Sequence, residues 1–300
     1  MRFIRLIPNP VMLKELRGQM RGWRAFAVLT VYLLLLSCVT IVLYLAVYTT
    51  YSAAGVGGTL IGVRVGRTLF SGIVLLELLL MCFIAPAFTV GAISGERERL
   101  TYDLLVITLL RPRSIVAGKL GAALAYVVLL ILAALPLQSL AFILGGVSPA
   151  ELFIAQSGLL VTALISASLG LFFSSLVRST FLSTVLTYSV ILFVTGGLPA
   201  IILMILIPLT GLWGSTTPSW PIQALLIYGL GFLACTNPFI TAVLTEVVLL
   251  EKNAWLFFTV AVDGHGLPLV SPWAVYVLLC LLASLLLIAS SVRLVRAPRL

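Results

Sequence analysis

The sequence predicts an all-α integral membrane protein, a six-span helical bundle, and three observations predict it. The first is composition. Of 300 residues, 62% are Ala, Val, Ile, Leu, Met, Phe, Trp, Tyr or Cys and only 9% are Asp, Glu, Lys or Arg, against about 45–50% apolar and about 25% charged in soluble domains. So few charges cannot cover a water-facing surface. The second is the presence of six apolar runs, each long enough for the roughly 20 residues that cross a hydrocarbon core of roughly 30 Å. The third is an uneven distribution of basic residues between alternating connections.

The runs fall at about 25–48, 69–94, 119–145, 152–176, 181–209 and 272–292. The first begins near Ala25 and is too long for the apolar core of a signal peptide. A further apolar stretch, 222–250, is divided by Asn237-Pro238 and carries Glu246. Neither half reaches across a bilayer at 1.5 Å per residue. It is expected to form re-entrant or interfacial helices within an outer region, 210–271, before the last span. Irregular backbone at depth is tolerated where protein or water covers it.

With the N-terminus inside, fifteen of the 18 Lys and Arg residues fall on inner segments and three, Arg64, Arg67 and Lys252, fall outside. This split places both termini and the 95–118 loop in the cytoplasm. A seventh span would put the tail from Arg293 to Arg299 outside, so the number of spans is expected to be even. The net charge of +9 would suggest nucleic acid in a soluble chain. Here it follows the positive-inside rule and the anionic inner leaflet, and membrane lipid rather than nucleic acid is the expected partner.

Polar residues concentrate in two inner segments. Val11 to Arg24, read as a helix, gathers Met12, Leu13, Leu16, Met20 and Trp23 on one arc and Lys14, Arg17, Arg21 and Arg24 on the next. This is either a basic amphipathic helix on the inner membrane face or a basic flank that orients the first span. Pro8, Asn9 and Pro10 set its start. The second segment reads Glu96-Arg97-Glu98-Arg99-Leu100-Thr101-Tyr102-Asp103, then Leu104 to Leu110, then Arg111-Pro112-Arg113-Ser114. Mixed charge followed by an apolar patch suits docking to a protein, the alternative being a solvated loop with internal ion pairs. Arg111-Pro112 breaks the helix, and Ser114 is the expected cap of the next one, the third span.

The remaining candidates are few. Glu77 is the one acid well inside a span. A charge there is costly, so the side chain should face the bundle or take up a proton. It either lines a substrate pathway or hydrogen-bonds a neighbouring helix. Asp263 and His265 make at most two metal ligands where three or four are needed, so 263–266 reads as a turn and no metal site is expected. Cys38, Cys82, Cys235 and Cys280 lie in apolar runs without a CxxC pair and read as packing residues. Gly196-Gly197-Leu198-Pro199 interrupts span five as a kink. Gly58, Gly62 and Gly66 recur at four-residue spacing, which allows close helix approach. One histidine in the chain excludes an HExxH protease, and no general acid–base pair stands within the spans, so catalytic residues are not expected.

Asn9-Pro10-Val11-Met12-Leu13-Lys14-Glu15-Leu16-Arg17, followed by Arg24-Ala25-Phe26, resembles the N-terminal signature of ABC-2 type permeases. So does Glu96 to Leu105, ending in Ile115-Val116-Ala117-Gly118-Lys119-Leu120, and Asn237-Pro238-Phe239 before the last span fits as well. The subgroup it resembles is the permease component linked to multicopper-enzyme maturation. A departure is Leu109-Leu110-Arg111-Pro112, where many relatives carry a Thr-Pro or Ser-Pro turn. The resemblance implies one ABC-2 type transmembrane domain over residues 1–300, with 1–24 as an elbow helix and 95–118 as a coupling loop. Glu96, Arg97, Glu98, Arg99, Asp103, Leu104 and Leu105 would then meet a separate cytoplasmic ATPase, and a second permease copy or paralogue would complete the unit. The chain has no GxxxxGK[ST]: Gly118-Lys119 is followed by Leu120, and Arg113 stands where the first glycine belongs. ATP and Mg are therefore expected on the partner, with no cofactor on this chain. The implied function is the permease subunit of an ATP-driven exporter. The alternative is a non-transporting scaffold subunit of a membrane complex.

Overall fold

The computed structural model describes residues 10–20, 23–53, 58–101, 111–212, 219–252, 254–262 and 265–296. Within them the chain is helical apart from one hairpin and short connections. A first short helix, α1 (Pro10–Met20), precedes α2 (Trp23–Ala53) and α3 (Gly58–Ala87). One turn of helix, α4 (Ser94–Glu98), leads toward α5 (Pro112–Ile143) and α6 (Pro149–Leu176). Then come α7 (Thr180–Leu192), a π-helical turn at Phe193–Gly197, and α8 (Leu198–Leu212). The order closes with α9 (Trp220–Ala234), α10 (Pro238–Lys252), strands β1 (Phe257–Val262) and β2 (His265–Val270), and α11 (Pro272–Arg296).

Six of these helical stretches are long and apolar enough to span: Ala25–Ala53, Gly62–Ala87, Pro112–Ile143, Pro149–Leu176, Thr180–Pro208 and Pro272–Val295. The all-α membrane bundle is therefore present. Two boundaries differ from the sequence reading. Span two ends at Ala87 rather than 94, and a turn at Phe88–Ile93 separates it from α4. Span three begins at Pro112, with Arg111 and not Ser114 in the capping position. Proline at the first helical position lacks the N–H that would be unpaired there and has its φ already set for a helix. It outweighs a serine two residues later. A capping box that was not expected opens α6: Ser148 Oγ accepts from Glu151 N and the Glu151 carboxylate accepts from Ser148 N.

The chain divides into two compact units, Met1–Thr187 with Ser284–Leu300, and Tyr188–Ala283. In the first unit α3 packs against α2, α5 and α6, and α1 lies along α5. Leu69, Ile73, Met81, Val127, Leu130, Leu159 and Leu171 fill the interior. Small residues set the spacing. A Cβ at Gly66 would lie 2.9 Å from Ala141 O and Leu144 Cβ, so this glycine does permit close helix approach. Tyr126 of α5 donates its hydroxyl to Ala25 O, 2.8 Å away, tying the start of α2 to α5.

The second unit holds the divided stretch. The break falls at Cys235–Asn237, and each flanking helix has 15 residues, about 22 Å of axis and too short to cross alone. Asn237 organises the break. Its Oδ1 accepts from Phe239 N and Ile240 N at 2.9 and 3.1 Å, which caps α10. Its Nδ2 donates to Val194 O and Thr195 O, both at 2.9 Å. Those carbonyls belong to the π-helical turn, where the Gly196-Gly197 kink was expected. The β-hairpin was not expected. Val262 and His265 close its ladder, and Val262 and Leu267 pack with Ala224 on α9. A signal for it stands in the sequence: Phe257 to Val262 is rich in aromatic and β-branched residues and Asp263-Gly264 is a favoured two-residue turn. Those two residues lie outside the described ones, and His265 stacks on Trp220 with ring centroids 4.6 Å apart.

Candidate functional site

The mixed-charge segment begins inside the first unit rather than on a free loop. Ser174, near the end of α6, accepts hydrogen bonds at Oγ from Ile93 N and Ser94 N at 2.9 and 3.0 Å. This fixes the first turn of α4 against α6. From that fixed turn the next three charged residues reach three different places.

Glu96 meets Lys119 of α5, with Nζ 2.8 Å from Oε1. The same ammonium lies 2.8 Å from Glu15 Oε1 on α1. Lys119 is 5% exposed, so one nearly buried cation joins three elements. Glu96 Oε2 is buried with no partner among the described residues. Arg97 Nη1 donates to Ser175 O at 3.0 Å and Val177 O at 3.5 Å, at the C-terminus of α6. A cation there satisfies carbonyls that the helix leaves open and opposes its dipole. Glu98 reaches the other side of the same connection: its Oε1 accepts from Thr180 N at 2.7 Å and its Oε2 from Thr180 Oγ1 at 2.8 Å. It thereby caps α7 from a distant part of the chain. The Thr180 backbone N–H first, and then the Thr180 hydroxyl, hold the Glu98 carboxyl below its ordinary value.

The segment ends on an unusual residue. Leu100 has a φ of 57°, the left-handed region that side-chain-bearing residues avoid, and it is 82% exposed. Arg99 beside it is exposed. Asp103, Leu104 and Leu105, also expected at this site, lie outside the described residues. α1 covers the expected amphipathic helix from Pro10 to Met20; Arg21 and Gly22 lie outside the described residues, and Trp23 is described within α2. Its Val11 is buried and Met12 lies against Gly121 of α5, while Lys14 and Arg17 are exposed. Sequence reasoning missed Glu15, Ser174 and Thr180. Each pairs with a residue far along the chain, and no local pattern marks them.

Glu77 is fully buried within the first unit. Gln138 of α5 donates Nε2 to both carboxyl oxygens at 2.9 Å, and Gln156 of α6 donates Nε2 to Gln138 Oε1 at 2.6 Å. A carboxyl and two amides thus link α3, α5 and α6 in a line. This supplies the polar interhelical contact that lipid cannot. Among the described residues no group of three or more His, Cys, Asp or Glu is placed to hold a metal.

Six helices long and apolar enough to span, with a short basic helix packed along α5 and a charged turn held by α5 and α6, define a multi-pass membrane protein. The family model for ABC-2 family transporter proteins matches residues 10–297, and the chain belongs to that family. It is thus a permease subunit of an ABC transporter, a class that associates with ABC ATPase partners. A comparison with curated proteins finds no significant match.

Proposed function

We propose that this chain is the membrane subunit of an ATP-driven exporter, with ATP and Mg bound and hydrolysed on a separate cytoplasmic ATPase that docks at the end of α4. Both termini face the cytoplasm in this reading, as the fifteen-to-three distribution of basic residues supports. A second permease copy or paralogue completes the substrate pathway.

The observation that carries the docking site is Leu100. A leucine in the left-handed region costs about 1 kcal/mol or more, and backbone strain of this kind clusters at functional positions. Here it presents an apolar side chain to solvent on a turn whose Glu96, Arg97 and Glu98 are held from within. Glu96, Arg97 and Glu98 keep α4 in register with α1, α5, α6 and α7, and Arg99 and Leu100 make the outward contact. Force applied to Leu100 would reach four helices through bonds that already exist. Glu77, buried and bonded to Gln138 through both carboxyl oxygens, serves as structural glue rather than as a wall of the pathway.

The test is co-purification and ATP turnover with a candidate ABC ATPase carrying Walker motifs. Arg99→Glu with Leu100→Asp replaces only exposed groups, and Asp tolerates the left-handed region better than Leu does. A lost anchor of about 2 kcal/mol weakens association about thirtyfold. Binding and turnover at wild-type levels would remove this turn as the docking site. Wild-type binding with lost turnover would instead place it in coupling alone.

A further inference from the structure

A cleft of about 320 Å³ opens between α2, α3 and α5 in the first unit, walled by Thr40, Tyr44 and Leu45, by Leu69, and by Leu140 and Ile143. The Thr40 hydroxyl on its wall is already spent on Leu36 O at 2.7 Å, and the surface lining the cleft is almost wholly apolar. Nothing polar therefore asks for a partner inside, and the cleft suits a hydrocarbon chain. Leu140 and Ile143 are 44% and 80% exposed, so it is open at the side that faces the bilayer.

An aromatic row leads from the cleft toward the end of α2. Tyr44 stacks on Tyr48 with centroids 5.9 Å apart and an interplanar angle of 11°. One turn further, Tyr51 carries the guanidinium of Arg64 at 5.4 Å from its ring centroid. Arg64 lies five residues before Leu69 on α3, about 7.5 Å further along the axis, and Tyr51 lies seven residues beyond Tyr44, about 10 Å. The cation therefore stands about one headgroup's depth beyond the apolar wall.

The charge pattern gives a second, independent reason to single out Arg64. It stands at the end of the bundle that carries few basic residues. Arg67 beside it is 3.7 Å from Glu151. Arg64 is exposed and no described acidic residue pairs with it. The contact with the Tyr51 ring supplies no oxygen acceptor, so the guanidinium N–H donors remain suited to a bidentate oxyanion.

From this juxtaposition we propose that the α2–α3–α5 cleft is a binding site for an anionic phospholipid of the surrounding leaflet, with an acyl chain in the cleft and the phosphate at Arg64. The site is independent of the ATPase docking reading and of the direction of transport.

The experiment uses the full chain in nanodiscs of phosphatidylcholine doped with phosphatidylglycerol or phosphatidylcholine bearing a photoreactive acyl chain. Cross-linked peptides are located by mass spectrometry. Wild type should be labelled at 40–45 and 140–144, with phosphatidylglycerol favoured about fivefold, the ratio that about 1 kcal/mol per surface cation gives. Arg64→Gln should bring that preference to about one while leaving labelling by both lipids. Ile143→Trp, at an exposed position, fills the cleft and should cut labelling at 40–45 at least tenfold with the melting temperature unchanged. Equal labelling by the two lipids in wild type, or labelling that survives Ile143→Trp, would reduce the cleft to ordinary lipid contact and overturn the proposal. So would efficient disulfide formation between two copies through Ile41→Cys in a background lacking the native cysteines, because a second chain would then occupy this face.

Discussion

Two buried polar clusters in the first unit solve the same problem differently. At one end, Lys119 joins Glu15 and Glu96 by two ion pairs at 2.8 Å. Within the spans, Glu77 is hydrogen-bonded to amides among the described residues, to Gln138 directly and to Gln156 through it. The first cluster keeps some water: the two carboxylate side chains are 30% and 21% exposed. Glu77 has none. Opposed charges are affordable where solvation is only partly lost, whereas full burial penalises each charge by several kcal/mol. The contrast shows a charged joint where elements meet at the bundle end and an uncharged-partner link where spans meet at depth.

Removing the cation tests the joint most severely. Lys119→Met leaves two carboxylates facing each other without compensation. Breaking a fully buried pair costs about 3–5 kcal/mol. The remaining exposure of both acids lowers the expected loss to about 2–3 kcal/mol, read as a fall in melting temperature in nanodiscs. A melting temperature equal to wild type would mean that the joint carries no stability. For the same reason Glu96→Lys is not a surface change: it would set a second cation beside Lys119 and disturb α5.

The link within the spans should respond less, and asymmetrically. Gln138→Leu orphans both Glu77 and the Gln156 amide, at about 1–3 kcal/mol. Glu77→Gln keeps the shape and one acceptor oxygen, so less than about 1 kcal/mol is expected, in line with interhelical polar bonds in bilayers. Unchanged transport in Glu77→Gln agrees with structural glue. Altered transport at an unchanged melting temperature would return Glu77 to the substrate pathway.

The smallest effect belongs to Glu98, and pH reveals it. Its carboxyl is held below its ordinary value by Thr180. The stability it adds is fully present above the unfolded value of about 4.3 and disappears as pH falls through the lower folded value. Glu98→Gln should therefore flatten the decline in melting temperature below about pH 4.5 and leave the neutral-pH value little changed. An acid limb identical to wild type would show that the Thr180 bonds do not hold the charged form.

Much of the fold was legible in the sequence. The six spans follow from run length alone, whereas the Ser148-Pro149-Ala150-Glu151 capping box that opens α6 went unread. Asn237-Pro238 marks a break that the structure places at the same residues. What the break is fastened to was not legible, because the π-helical carbonyls of Val194 and Thr195 lie more than 40 residues earlier. The candidate site divides in the same way. The Glu96–Arg99 run stands out as mixed charge, but sequence does not say which charges face inward. Lys119 looked like one more basic residue of an inner segment, yet its partners lie 23 and 104 residues away.

By itself, then, the sequence determined the solvent of this protein, the number of its crossings and its family resemblance. Transfer of apolar side chains into lipid sums over about twenty neighbouring residues, and such a sum survives errors in any one of them. The tertiary structure alone decided that Glu96, Arg97 and Glu98 bind their own chain, that Leu100 is presented, and that Arg64 stands over Tyr51 at the end of an apolar cleft. Each of these rests on a few ångströms between residues on different elements. Hydrogen bonds and ion pairs decay over that distance, and no local pattern in the sequence encodes it.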